Sequence, residues 1–122
     1  MLNVKKMLTK ITNTPLVVES GYGEVSYRKW SDGTLEQWGI ASITASSGNA
    51  SSTISFATPF VNTDYTVLLT GGYNATSVVT LAENNHTNAN RERTTSSFKV
   101  SAYKSGYAYY IGFSFYVIGR WK

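Results

Sequence analysis

Residues 24–41, EVSYRKWSDGTLEQWGIA, decide the fold class because they predict two β-strands joined by a tight turn. The first strand covers residues 24–30, and its partner covers residues 34–41. Between them, Ser31-Asp32-Gly33 is a strong hairpin signal, since an Asp-Gly pair readily adopts the backbone geometry that short hairpin turns require. The stretch therefore predicts an antiparallel β-hairpin.

Short strands separated by turns are predicted over the rest of the chain. Residues 95–103 alternate most clearly, with Phe98, Val100 and Ala102 on one face and polar residues on the other. Further strands are predicted at residues 16–18, 53–57, 65–70, 77–82 and 107–120, the last with a break near Ser114. Loops or turns are predicted at residues 42–52, 71–74 and 83–93. Such regular spacing predicts an antiparallel sandwich or barrel.

The first residues follow a different pattern from the rest. Val4, Met7, Leu8 and Ile11 recur at helical spacing, and Pro15 ends the pattern because proline disfavours helical geometry in the residue before it. The prediction is an N-terminal helical shaft stub or linker at residues 1–14 and a β-domain at residues 15–122. A heptad-like coiled-coil stub and a helix packed on its own domain are the two alternatives.

The composition excludes several classes of protein. The chain of 122 residues is 42% hydrophobic, 14% aromatic and only 15% charged, which argues against intrinsic disorder and predicts one packed domain. So low a charge is typical of chains that hide further surface in an oligomer. The absence of cysteine excludes disulfides and thiolate chemistry.

The charge pattern and the hydropathy pattern bear on partners and location. The formal net charge of +4 comes from scattered Lys and Arg residues, whereas a nucleic-acid binder concentrates them in one stripe, so no nucleic-acid partner is predicted. No apolar run approaches the ~20 residues of a membrane-spanning helix, and no membrane insertion is predicted. Lysines near the start are not followed by the apolar stretch of a signal peptide, so no signal peptide is predicted, and the absence of cysteine fits assembly in the cytoplasm.

Residues with catalytic or metal-binding chemistry are few. The one histidine, His86, lies in a polar segment, where a solvated imidazole is favoured over a metal shared by three copies around a threefold axis. Glu24 and Glu36 lie on hairpin partners, where they could face each other as the carboxylate pair of a glycosidase, although solvated strand acids are the commoner arrangement. The prediction is a protein that is not an enzyme and has no cofactor.

Several segments together resemble the C-terminal receptor-binding knobs of bacteriophage tail fibres. Residues 21–33 (GYGEVSYRKWSDG) and 36–39 (EQWG) resemble the opening hairpin of those knobs. Residues 56–60 (FATPF) are similar to their F-x-x-P-F step. Residues 98–100 (FKV) and 115–121 (FYVIGRW) resemble their last two strands. In order and spacing the resemblance covers residues 21–122.

The resemblance implies a fold and a role. It implies an antiparallel six- to seven-stranded β-sandwich similar to H-type lectins, assembled as a homotrimer on an upstream tail-fibre shaft. It also implies that the protein is part of the virion, assembled in the host cytoplasm, and attaches to a bacterial surface polysaccharide or other glycan. The alternative is a purely structural tail or baseplate knob without a ligand.

Binding residues are predicted from the side chains of the polar segments, because Tyr and Asn suit adaptable recognition. Arg91 and Arg93 also suit acidic cell-wall polymers through bidentate contacts, the alternative being a solvated charge pair. Trp30, Trp38 and Trp121 are interpreted as core or interface anchors rather than sugar platforms. The predicted ligand-binding residues are Tyr73, Asn74, Asn84, Asn85, His86, Arg91 and Arg93.

Overall fold

The computed structural model describes residues 14–46, 48–74, 77–78, 80–83, 92–104 and 109–122. These residues form nine strands and no helix. The strands are β1 (Val17–Gly21), β2 (Val25–Trp30), β3 (Thr34–Ala45), β4 (Gly48–Ser55), β5 (Thr66–Asn74), β6 (Ser77–Val78), β7 (Thr80–Glu83), β8 (Ser97–Lys104) and β9 (Tyr109–Arg120). The described part of the chain contains no helix that is long and apolar enough to cross a membrane.

The strands form two antiparallel sheets. Six strands pair in the order β1-β2-β3-β9-β5-β6, and three pair in the order β4-β8-β7. The longest pairing joins β3 to β9 without interruption from Thr34–Arg120 to Ala45–Tyr109. Strand β9 also pairs with β5, so the last strand is central to the larger sheet.

The predicted hairpin is confirmed as β2 and β3. Gly33 has a φ of +97°, a left-handed conformation that glycine adopts without a steric penalty. The Thr34 amide donates to the Asp32 carboxylate at 2.9 Å, and this hydrogen bond holds the pKa of Asp32 below its usual value. The Trp121 amide donates to the Gly33 carbonyl at 2.9 Å, so the chain end returns to the hairpin turn.

The core lies between the two sheets. The inner face of β9 contributes Ile111, Phe113, Phe115 and Val117, all buried. Strand β8 contributes Phe98, Val100 and Ala102, which confirms the predicted apolar face. The Phe98 and Phe115 rings lie 5.7 Å apart between centroids, in an edge-to-face geometry that joins the two sheets. The result is a sandwich-like all-β fold.

A buried glutamine ties the connection between β4 and β5 to the larger sheet. Gln37 of β3 is fully buried among apolar residues. Its amide nitrogen donates to the Thr58 carbonyl at 2.7 Å, and its amide oxygen accepts from the Ala57 amide at 2.9 Å and from the Thr58 amide at 3.3 Å. Because these three contacts satisfy buried backbone groups, one side chain fixes the course of residues 56–60.

Several strand predictions need correction. The described residues form nine strands instead of the six or seven that the resemblance implies. Residues 42–52, predicted as a loop, lengthen two predicted strands, since they form the end of β3 and the start of β4. Their small polar residues pair through the backbone with β9 and β8, partners far away in sequence. Residues 71–74, predicted as a turn, end β5 beyond an irregularity at Gly71, and β9 has no break near Ser114.

Other predictions need a smaller change or stay open. The strand predicted at residues 77–82 is divided into β6 and β7, which belong to different sheets. The predicted helix or coiled-coil stub at residues 1–14 lies almost wholly outside the described residues, since only Thr14 is described. The boundary between that segment and the β-domain therefore stays a prediction.

Replacing the buried glutamine by an apolar residue of similar size tests its role. We expect Gln37→Leu to lower the free energy of unfolding by about 2–4 kcal/mol, because it leaves two partly buried amides and one carbonyl without their side-chain partner. Denaturant unfolding at fixed protein concentration measures this loss. Ser20→Ala, at an exposed position of β1, is the control and should change stability by less than about 0.5 kcal/mol. Equal stability of Gln37→Leu and the parent chain would show that the amide network is dispensable.

Candidate functional site

The structure places the predicted ligand residues in three different situations. Tyr73 and Asn74 lie at the end of β5, where their backbones pair with Val78 and Ser77. Asn84, Asn85, His86 and Arg91 lie outside the described residues. Arg93 is described in full. Ligand binding at the first six residues stays a prediction from their chemistry.

The Arg93 guanidinium is held by several partners within the fold. Its Nε and Nη2 donate to the two carboxylate oxygens of Glu83 at 2.6 and 2.7 Å. Its Nη1 donates to the carbonyls of Thr63 at 3.0 Å and Tyr65 at 2.5 Å, and the guanidinium lies 4.6 Å from the centroid of the Tyr65 ring. Because these bonds use all three nitrogens, the side chain has a structural role here, whatever else it binds.

The electrostatics agree with a firmly held pair. Arg93 and Glu83 are 13% and 14% exposed. The hydrogen bonds to Glu83 raise the pKa of Arg93 above its usual value. Burial raises the pKa of Tyr65 to about 12. Glu83 and Arg93 flank residues 84–92 in sequence, so the ion pair joins the two ends of that segment.

A second polar cluster lies on the outer face of the six-stranded sheet, opposite the core. The Glu36 carboxylate accepts hydrogen bonds from Trp30 Nε1 at 2.5 Å and from the Tyr116 hydroxyl, and Arg28 Nε lies 3.4 Å from it. The Arg28 guanidinium lies 4.9 Å from the centroid of the Trp38 ring. Burial and the hydrogen bond to Glu36 raise the pKa of Tyr116 to about 12.

The positions of these residues bear on two of the sequence interpretations. In the β2–β3 register Glu36 lies opposite Arg28, so the expectation that Glu24 faces Glu36 is wrong. Glu24 lies directly before the first residue of β2, four register positions away. Trp30 and Trp38 are half-buried on the outer face, and Trp121 packs at the margin of the core with Nε1 donating to the Trp30 carbonyl at 2.8 Å.

The same outer face carries an exposed apolar area. Trp38, Tyr116 and Leu68 lie in one row across β3, β9 and β5. Ile40 and Ile118 lie in the neighbouring rows on either side. Ile40 is 79% exposed, Leu68 56% and Ile118 37%. We refer to Trp38, Ile40, Leu68, Tyr116 and Ile118 as the outer patch.

A cleft of about 790 Å³ opens beside the outer patch, between β3 and β4. Its walls combine hydroxyl-bearing, apolar and acidic residues of the β2 start, the middle of β3 and the end of β4. Among the described residues no group of three or more His, Asp or Glu side chains is arranged to hold a metal ion. The cleft is lined by Gly23, Glu24, Val25, Ser26, Trp38, Gly39, Ile40, Ala41, Ser42, Ser52, Thr53, Ile54, Ser55 and Phe115.

Removing the Arg93 side chain tests its structural role. We expect Arg93→Ala to lower the free energy of unfolding by about 3–5 kcal/mol, because it leaves the half-buried Glu83 carboxylate without its partner. Lys99→Ala is the matched control, since Lys99 forms a more exposed ion pair with Glu92 at 2.9 Å. Such surface pairs contribute at most about 1 kcal/mol. Denaturant unfolding of both variants gives the comparison, and equal losses would contradict a special role for Arg93.

Comparisons with known proteins give the fold and the family. The R1-type pyocin tail fibre, truncated at its N-terminus, matches with a TM-score of 0.64 and 16% identity over 98% of both chains. A P. aeruginosa R1 pyocin fibre matches with a TM-score of 0.62 and 14% identity. An R2-type pyocin tail fibre matches with a TM-score of 0.57 and 17% identity. This chain is covered to 98% in both of the latter, and it spans 32% and 44% of their lengths.

No curated protein matches the chain in sequence. A family model described as "tail fiber protein gp53-like, C-terminal" matches residues 29–120. That range holds the β2–β3 hairpin from Lys29 onward and the whole of β9. The resemblance seen in the sequence is thereby confirmed, and the chain belongs to the family of gp53-like tail fibre C-terminal domains.

Proposed function

We propose that this chain is the receptor-binding end of a tail fibre, where it attaches a virion to a bacterial surface glycan as a homotrimer. The observation that carries the proposal is family membership together with an apolar patch on the face of the sheet that the fold leaves uncovered. The chain does so without catalysis and without a cofactor. Its partners are two further copies, an upstream shaft and the glycan.

The outer patch supports the trimer. The three-stranded sheet covers the inner face of the larger sheet, and in the described part of the chain nothing covers the outer one. Trp, Ile and Leu side chains lie in adjacent rows of the patch. Covering them with another surface is favourable, because it removes apolar area from water. Three copies around one axis bury this patch on every copy, and cyclic closure leaves no copy with an unpaired patch.

The Arg28–Glu36 cluster gives the contact a polar margin. Its carboxylate is only 13% exposed and already has donors in Trp30 and Tyr116. A second copy can therefore cover the cluster without leaving the carboxylate unpaired, which is the costly outcome for a buried charge. The guanidinium stacked on Trp38 keeps the aromatic ring in place beside the apolar rows.

Attachment at a fibre end benefits from several copies. Single glycan sites bind weakly, and three linked sites raise the overall affinity by about 10²–10⁴ without new contacts when geometry permits. The polar segment at residues 84–91 and the end of β5 supply the predicted ligand residues. The Glu83–Arg93 ion pair joins residues that flank that segment in sequence.

The absence of catalysis is proposed from the placement of the acids. Glycosidases place two carboxylates about 5–9.5 Å apart across the substrate. Glu36 is engaged by Trp30, Tyr116 and Arg28, and it lies opposite Arg28 rather than Glu24. This arrangement supports a binding role over hydrolysis.

The oligomeric state is tested with a matched pair of variants. We expect the purified chain to have three times the 13.4 kDa mass of one copy in light scattering. Leu68→Arg places a charge in the outer patch and should yield the single-copy mass. Val61→Arg is the control, because Val61 is similarly exposed, at 53%, but lies between β4 and β5. A parent chain of 13.4 kDa, or dissociation by Val61→Arg alone, would contradict the proposed contact.

Ligand binding is tested separately on the trimer. We expect the chain to bind a subset of bacterial glycans on an array and to compete with adsorption of particles to host cells. The signal should fall for the Leu68→Arg variant, because avidity is lost. A stable trimer that binds no bacterial glycan and no host surface would favour the purely structural knob instead.

A further inference from the structure

Unequal strand lengths create the cleft beside the outer patch. The pairing of β2 with β3 ends at Val25–Gly39, but β3 continues to Ala45. In the described part of the chain, the edge of β3 at residues 40–45 that faces away from β9 therefore has no strand neighbour. Across the cleft, β4 is an edge strand of the smaller sheet. Unpaired strand edges present backbone donors and acceptors, so both walls offer hydrogen bonds.

Hydroxyl-bearing residues line these walls. Ser42 comes from β3, and Ser52, Thr53 and Ser55 come from β4. Within the described residues, none of these four hydroxyls has a hydrogen-bond partner in the fold, whereas Ser26 accepts from the Gly23 amide at 3.4 Å. The lining residues thus carry four hydroxyls without an internal partner, and each hydroxyl is both a donor and an acceptor, which suits a polyol.

One carboxylate at the cleft is also free. Glu24 is exposed and has no ion pair or hydrogen bond within the described part of the chain. In a chain with net charge +4, most acids have cationic partners nearby. Those that form ion pairs with Lys or Arg are Glu19, Glu36, Glu83 and Glu92. An unpaired carboxylate accepts charge-assisted hydrogen bonds from vicinal hydroxyls and repels an anionic ligand.

The floor of the cleft is apolar and rigid. Phe115 and Ile54 are buried core residues whose edges reach it, and the Trp38 ring stands at its margin. Gly39 maintains this geometry, because a Cβ there would lie 2.5 Å from the Glu24 carbonyl and 2.8 Å from the Phe115 ring. The volume of about 790 Å³ falls in the range of small-molecule sites. The apolar face of a ligand ring can pack on an apolar floor of this kind.

We infer that this cleft binds an uncharged saccharide unit of the receptor glycan, with Glu24 and the hydroxyls of β3 and β4 as its polar contacts. The inference rests on the proposed function and names the site that serves it. An extended peptide added to the free edge of β3 would use mainly the backbone groups of that edge, whereas a saccharide also suits the hydroxyl-bearing residues and the Glu24 carboxylate. Trp38 and Ile40 belong to both the cleft and the outer patch, so the bound sugar would lie at the border between copies.

The site is tested by calorimetry with the uncharged glycan that gives the strongest array signal, added as a monovalent oligosaccharide to the intact chain. Glu24→Gln keeps the shape and removes the charge, and we expect it to weaken binding about tenfold or more. Thr53→Trp places a bulky side chain at a lining residue of the cleft, at an exposed position of β4 where an aromatic residue suits a strand, and should abolish binding. Asp64→Asn is the control, since Asp64 is exposed and outside the cleft lining.

The outcomes separate this inference from the proposed function. Loss of binding in both cleft variants, with unchanged affinity in Asp64→Asn and unchanged mass and melting temperature in all three, supports the cleft. Full affinity in Glu24→Gln and Thr53→Trp would overturn the cleft and leave glycan attachment through other residues intact. A parent chain that binds no glycan would overturn both. Binding of a strand-forming peptide instead, or a cleft filled by the neighbouring copy, would also contradict the saccharide site.

Discussion

The central position of β9 between β3 and β5 is the constraint on which the rest of the structure depends. Because side chains alternate along a strand, one face of β9 must point into the core and the other away from it. Phe113, Phe115 and Val117 point inward and meet the three-stranded sheet. Tyr116 and Ile118 point outward, where the described residues form no second layer. The described part of the fold thus covers one face of β9, and the proposed trimer would cover the other.

Features set by local chemistry were predictable from the sequence. The β2–β3 hairpin depends on Asp32 and Gly33, whose turn geometry is encoded within a few residues. The apolar face of β8 follows from strict alternation. The extent of β3 and β4 was not predictable, because their small polar residues pair only when distant β9 and β8 supply partners. In such segments long-range pairing decides between strand and loop.

The candidate sites also depend on long-range contacts that the local sequence does not reveal. The sequence predicts Arg93 as a binding residue because of its charge. In the structure its guanidinium is held by Glu83 and by the carbonyls of Thr63 and Tyr65, which lie ten to thirty residues away in sequence. No local pattern signals such a pairing. The cleft was missed because it arises from the difference in length between β2 and β3, which is a property of pairing rather than of composition. The sequence predicts a role for Glu24 only as a partner of Glu36, and the strand register does not place these two residues opposite each other.

The proposed trimer requires that neighbouring copies cover the outer patch. A crystal structure of the intact chain tests this most directly, because it shows the surroundings of Leu68 and Ile118 in every copy. We predict three copies around one axis, with these side chains within ~4 Å of apolar atoms of a neighbouring copy. A crystal structure in which both side chains face solvent, together with the mass of a single copy in solution, would contradict the proposed trimer.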